Sequence, residues 1–294
     1  MWIFFAFIPA IVDAYANIAD GHLSNTRFKD PWVLIFYLGI FELLFDPFVL
    51  FFGTPAILPL HTIALLGVIT FLDFLYIIFY LKALREADTS IIAALFSLGK
   101  ITVPLLAFFI IGEHLPWSQY LGFLAIVVTA TALTASRSKG KIRFNKAFLL
   151  MFTSSLIHAL QGVLYKLALE EVDWVTGFLY TIPFAIVIYL CIFIIKRRTI
   201  IQHLGSAQRE WRTLLLQSGI AFISNVTGTI AISLAPITLV KAVFATQPFF
   251  VLLYTPILKR YSHFRLREQM DHDHLLKKIV CFIVIFLALM LLIP

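Results

Sequence analysis

Asp13, Asn17 and Asp20 stand at i, i+4 and i+7 within an apolar stretch near the start of the chain. That spacing puts all three on one face of a helix. His158, Gly162 and Tyr165 repeat it at an offset of 145 positions. Aspartate and histidine both exchange protons, so Asp13 and His158 fit a proton relay or a contact to a polar ligand; the competing role is hydrogen-bonded glue between helices, with Asp20 near a membrane surface. Asp73, Tyr76 and Tyr80 form a second stripe at i, i+3 and i+7, and an offset of 148 matches them to Ala221, Ser224 and Gly228, with Asn225 adjacent. The tyrosines serve packing or ligand contact, whereas Asp73 needs a reason to sit in apolar surroundings. Glu42 and Asp46, one turn apart and followed by Pro47, need compensation, and a lysine partner is expected for one of them.

Three lysines lie within apolar stretches. Lys100 sits near the middle of Thr89–Glu113, and a cation at bilayer depth costs at least about 2.5 kcal/mol by insertion scales unless a partner, cavity or ligand compensates it. Lys241 lies in Ala235–Thr246, APITLVKAVFAT, which echoes Ala87–Leu98, ADTSIIAALFSL, at an offset of 148. On this alignment Ala93, Ser97 and Lys100 correspond to Lys241, Ala245 and Pro248. The two lysines therefore share one face of equivalent helices, two turns apart. They either hold an anionic ligand group between them as point charges or neutralise Asp73, Glu42 or Asp46. Lys166, near the end of its stretch, is placed to snorkel to the membrane surface.

The elements that position these groups follow from composition. Hydrophobic residues make up 61% of the 294 residues and charged ones 13%, about half the charged share of a globular domain. Together with a mean hydropathy of +0.95, this marks a polytopic membrane protein. At about 20 residues per crossing the chain holds ten spans, near 2–19, 32–52, 58–81, 89–111, 117–135, 147–168, 174–195, 213–233, 237–257 and 276–293. The N-terminal MWIFFAFIPAIV lacks a basic leader and is read as a retained helix. Long continuous apolar runs exclude the alternating pattern of a β-barrel, so the fold class is all-α. Of the 23 lysines and arginines, all but Lys100, Lys166 and Lys241 fall in odd-numbered connections; the positive-inside rule makes those connections cytoplasmic and leaves both termini outside. Five spans per half give two inverted repeats, 1–135 and 147–294, joined by the basic linker 136–146. Such repeats are a recurrent plan for transporters with a midplane substrate site.

The whole plan resembles the drug/metabolite transporter superfamily, specifically its EamA-type ten-helix members. The run ADTSIIAALFSL, the later IIGEHLPWSQYLGF with Gly112, Glu113 and Gly122, and Tyr165-Lys166 resemble that family's short motifs. The sequence departs from them at Gly21, at Lys100 where proline is usual, and at Tyr261 where the second half lacks a counterpart of Glu113. The resemblance implies a solute transporter and leaves the solute open.

The expectation is a secondary transporter moving a small polar or amphipathic metabolite, anionic or zwitterionic, by alternating access, with proton coupling or exchange. Its candidate substrate or coupling residues are Lys100, Lys241, Asp13, His158, Asp73, Asn17, Tyr76, Tyr80, Asn225, Glu42 and Asp46. No phosphate-cradling loop, nucleophile elbow or metalloprotease motif occurs in the sequence, and no catalytic residue, metal or cofactor is expected. The Asp271–His274 run is read as a solvated loop rather than a metal site. The expected partners are a small-molecule substrate and the lipid bilayer, with no nucleic acid, in a monomer or homodimer of the bacterial inner membrane. The alternatives are an integral-membrane enzyme, whose acids and histidines would gather at one interface, and a nontransporting scaffold.

Overall fold

The computed structural model describes residues 1–86, 92, 95–96, 100–135, 146–251, 253–254, 280, 283–284, 287–288 and 290–292. The Asp271–His274 run, Tyr261, Ala93, Ser97 and the linker up to residue 145 lie outside the described residues. The helices described are α1 (Trp2–Thr26), α2 (Pro31–Glu42), α3 (Leu60–Ala83), α4 (Thr102–Ile111), α5 (Trp117–Ala135), α6 (Lys146–Glu171), α7 (Trp174–Gln202), α8 (Leu204–Arg209), α9 (Trp211–Leu234) and α10 (Ile237–Phe244). Among the described residues, six helical segments are long and apolar enough to cross a membrane, and apolar side chains such as Leu105, Phe109, Leu149, Leu190 and Ile194 face outward. The chain is an all-helical polytopic membrane protein.

Local sequence explains where these helices start and stop. Asp30 caps α2 by accepting from Trp32 N at 3.0 Å, with Pro31 in the first turn, where its missing N–H costs nothing. Asp173 caps α7 through Thr176 N at 3.0 Å and Thr176 Oγ1 at 2.6 Å. At the end of α4, Gly112 takes the left-handed conformation with φ +68°, which glycine adopts without a Cβ penalty.

The second span, expected to be continuous over 32–52, is broken. α2 stops at Glu42, and a 3-10 turn over Asp46–Phe51 takes up the remainder. Pro47 is the cause: it has no N–H for the carbonyl of Leu43, and its ring would clash there. Two further spans are interrupted at related places. Lys100 and Ile101 form a turn before α4, and Ala245 and Thr246 form one after α10.

Packing pairs come in reciprocal sets. α1 lies along α9 and α3 along α6; α2 meets α9 as α7 meets α3; α1 meets α10 as α6 meets α4. Two inverted halves exchanged about a pseudo-two-fold axis would produce this pattern. Ala6, Ala10 and Ala14 are at most 2% exposed, a small-residue stripe that lets neighbouring helices come close to α1.

Links between the halves occur at both ends of the bundle. At the basic end Arg27 pairs with Glu210 at 2.9 Å, Lys196 with Asp30 at 3.0 Å and Lys146 with Glu86 at 2.6 Å. At the other end Thr62 Oγ1 donates to Glu171 at 2.8 Å. There the Glu113 carboxylate also accepts from Ile237 N at 2.7 Å and Thr238 N at 3.1 Å.

Candidate functional site

A cavity of about 340 Å³ lies between α1, α2, α3, α6, α7, α9 and α10, and all eleven candidate residues named from the sequence line it. Helical spacing put each group on a polar stripe, and the reciprocal packing turns those stripes toward one another.

His158 and Lys241 meet in the cavity wall. Lys241 Nζ lies 2.9 Å from His158 Nε2. The imidazole is flanked edge-on by Tyr76, with ring centroids 4.5 Å apart, and by Phe96 at 5.1 Å. Gly162, one turn beyond His158, makes room for this arrangement, since a Cβ there would stand 2.9 Å from Lys241 Cε and 3.2 Å from Nζ. Alanine at 162 therefore moves a flexible ammonium rather than backbone. Gly162→Ala is expected to leave thermal stability level or to raise it, because alanine gains up to about 1 kcal/mol of helix propensity over glycine. Melting curves of the purified variant check this; a clear loss of stability would mean that the Lys241 ammonium cannot move aside.

The carboxylates occupy two regions. Asp13 hydrogen-bonds Ser224 and feels both Lys100 and Lys241, and Asp73 feels Lys241. Glu42 accepts from Asn225 Nδ2 at 2.8 Å and has Asp46 and Asp73 as its charged neighbours. The expected lysine partner for Glu42 or Asp46 is not found among the described residues. Glu42 is set beside α9, the turn that carries Asp46 packs on α7, and Lys241 is held against α6 instead.

Lys100 and Lys166 share an unexpected arrangement. Lys100 Nζ donates to the carbonyl of Phe244 at 2.9 Å and sits 5.0 Å from the centroid of Phe96. Four residues beyond Phe244 stands Pro248, which has no N–H to satisfy that carbonyl. Lys166 Nζ likewise donates to Ile232 O at 3.1 Å, and the residue four beyond is Pro236. Each ammonium fills a gap that a proline leaves in another helix. Lys166 thus reaches a neighbouring helix rather than snorkelling to a surface, and Lys100 joins the two interrupted spans.

Other polar groups on the wall were not among the candidates. Asp20, Gln217 and Ser224 are each less than 9% exposed and line the cavity with Gln161, Thr229 and Gln247. The signal for Gln217 was present: it extends the Ala221, Ser224, Gly228 stripe by one turn. Asp20 is on the first stripe, and it lies buried in the cavity wall rather than close to the membrane surface.

An ionisable cavity at the meeting point of interrupted helices is an arrangement that recurs among helical membrane transporters. Residues 1–135 match the EamA-like transporter family. Over those residues the chain is similar to this family, which is part of the drug/metabolite transporter superfamily. A solved crystal structure at 15% sequence identity superposes with a TM-score of 0.69, covering 99% of this chain and 96% of its own, and shows the same fold over both halves. No curated protein matches the sequence.

Proposed function

We propose that the protein is a secondary transporter that moves a small polar or amphipathic metabolite through the central cavity by alternating access. The two halves are 1–135 and 147–294, inverted about the axis that the reciprocal packing implies, with 136–146 as linker. In this reading the basic connections face the cytoplasm of a bacterial inner membrane; their charge bias supports that orientation. The observation that carries the reading is the convergence of Asp13 and His158, equivalent positions of the two halves, on one cavity between spans interrupted at Lys100–Ile101 and Ala245–Thr246. Interrupted helices expose backbone groups only where a cavity or protein covers them. The lysines recommended an anionic group on the solute. With Lys100 bonded to Phe244 O and Lys241 against His158, the remaining chemistry of the wall is acceptor-rich, which suits a zwitterion or a cation better.

Reconstitution tests this. Purified protein in proteoliposomes is expected to show counterflow of at least one labelled solute from a panel of amino acids, amines, nucleosides and phosphorylated metabolites. Asp13→Asn, which removes a charge at bilayer depth, is expected to reduce the rate by about tenfold or more. Full-rate counterflow by Asp13→Asn would remove that residue from the site. No counterflow of any solute by a well-folded sample would favour the enzyme or scaffold alternative.

A further inference from the structure

Asp20, Asn17 and Gln217 form a pocket of acceptors in the wall, 8%, 7% and 5% exposed, all three lining the cavity. Gln217 Nε2 donates to Asp20 Oδ1 at 2.8 Å, and with Asp20 ionised the opposite amide orientation would set oxygen against oxygen. Among the described residues, the arrangement leaves Gln217 Oε1 buried with no hydrogen-bond partner. Asn17 Oδ1 accepts from Tyr80 OH. The interactions acting on Asp20 come from Gln217, Asp13 and Tyr80, whereas Lys100 and Lys241 act on Asp13. Among the described residues, the result is a desolvated carboxylate without a cation beside it and an amide oxygen without a donor. Leaving either group unmet is costly in a dry site.

We propose that Asp20, Gln217 and Asn17 are the subsite for an ammonium or guanidinium group of the transported solute. Such a group brings the missing charge and several N–H donors together, so it answers both deficits at once. The Tyr80 ring beside the carboxylate, 6.4 Å from the centroid of Phe96, adds aromatic surface of the kind that favours an organic cation. A bare metal ion suits the pocket less well, and among the described residues no group of three His, Cys, Asp or Glu side chains could hold one. The proposal rests on the transporter reading and narrows its substrate to solutes with a positively charged nitrogen.

The test is binding to the purified full-length protein, which needs no transport. Melting temperature is followed against 2-phenylethylammonium, phenylguanidinium and 3-phenylpropionate at constant ionic strength, in potassium chloride and again with sodium chloride. The two cations are expected to raise the melting temperature in a saturable way and the carboxylate to leave it unchanged. Asp20→Asn is expected to weaken the cation affinity by about tenfold or more and Gln217→Leu by a few-fold, as loss of a charge-assisted and a neutral contact would. Equal stabilisation by phenylpropionate, or undiminished cation affinity in both variants, overturns the assignment, as does a shift produced by sodium alone, which would mark an inorganic cation site. If Asp20→Asn does not fold, Gln217→Leu and the cation-against-carboxylate comparison in the wild type still decide. Cation binding without counterflow would count against the transporter reading alone; counterflow of solutes lacking a charged nitrogen, without cation binding, would count against the subsite alone.

Discussion

Glu113→Ala is expected to destabilise the protein by about 2–4 kcal/mol, the value of two charge-assisted hydrogen bonds at a helix N-terminus. α10 begins after Pro236, whose side chain offers no cap, so the first-turn N–H groups of Ile237 and Thr238 need an acceptor from elsewhere. Glu113 supplies it from the other half of the chain, each carboxylate oxygen taking one N–H. Gly112, in its left-handed turn, ends α4 immediately before it. Glu113→Gln keeps one carbonyl oxygen and is expected to lose about half as much, and Glu113→Asp, one methylene shorter, to behave more like alanine. Unfolding of the purified variants in graded sodium dodecyl sulfate measures the order. If Glu113→Ala unfolds with the wild type, the contact contributes nothing to stability.

Much of this molecule was legible because bilayer chemistry is strict. An apolar run of about 20 residues admits one structure, and a polar residue within it must face protein or cavity. The i, i+4 and i+7 stripes of Asp13–Asn17–Asp20 and Asp73–Tyr76–Tyr80 therefore carried their own orientation, and the repeat offset tied Asp13 to His158 before any contact was known. The break in the second span was also written in the sequence, at Pro47, but a hydropathy reading averages over a single proline. What the lysines bind was not legible. A helical stripe reports a face and not a partner, and the partner of Lys100 is a backbone carbonyl that no side-chain pattern reveals. Gln217 escaped because glutamine is common on polar helix ends, and only its pairing with Asp20 distinguishes it.

That carbonyl yields the second large effect, a coupling between residues 148 positions apart in sequence. Lys100→Met alone has two opposed consequences. It relieves the desolvation of a buried ammonium, at least about 2.5 kcal/mol by insertion scales, and it leaves Phe244 O without its donor, at about 1–3 kcal/mol. Its single-mutant stability is therefore a difference of similar terms. Pro248→Ala separates them, because alanine brings back the N–H that closes the helical bond onto Phe244 O. In that background the carbonyl no longer depends on the lysine. Lys100→Met is thus expected to be less destabilising, or more stabilising, in the Pro248→Ala background than in the wild type, by about 1–3 kcal/mol of coupling in a double-mutant cycle. Detergent unfolding of the four proteins gives that number, and a coupling indistinguishable from zero would mean that Lys100 does not cap the gap. Counterflow by the double variant then separates the structural from the transport role of the same ammonium. Rates restored along with stability identify Lys100 as a substitute for a missing peptide N–H. Rates that stay low while stability returns show that the cavity needs the charge itself, since methionine and a closed helix reproduce the bond but not the positive field that acts on Asp13.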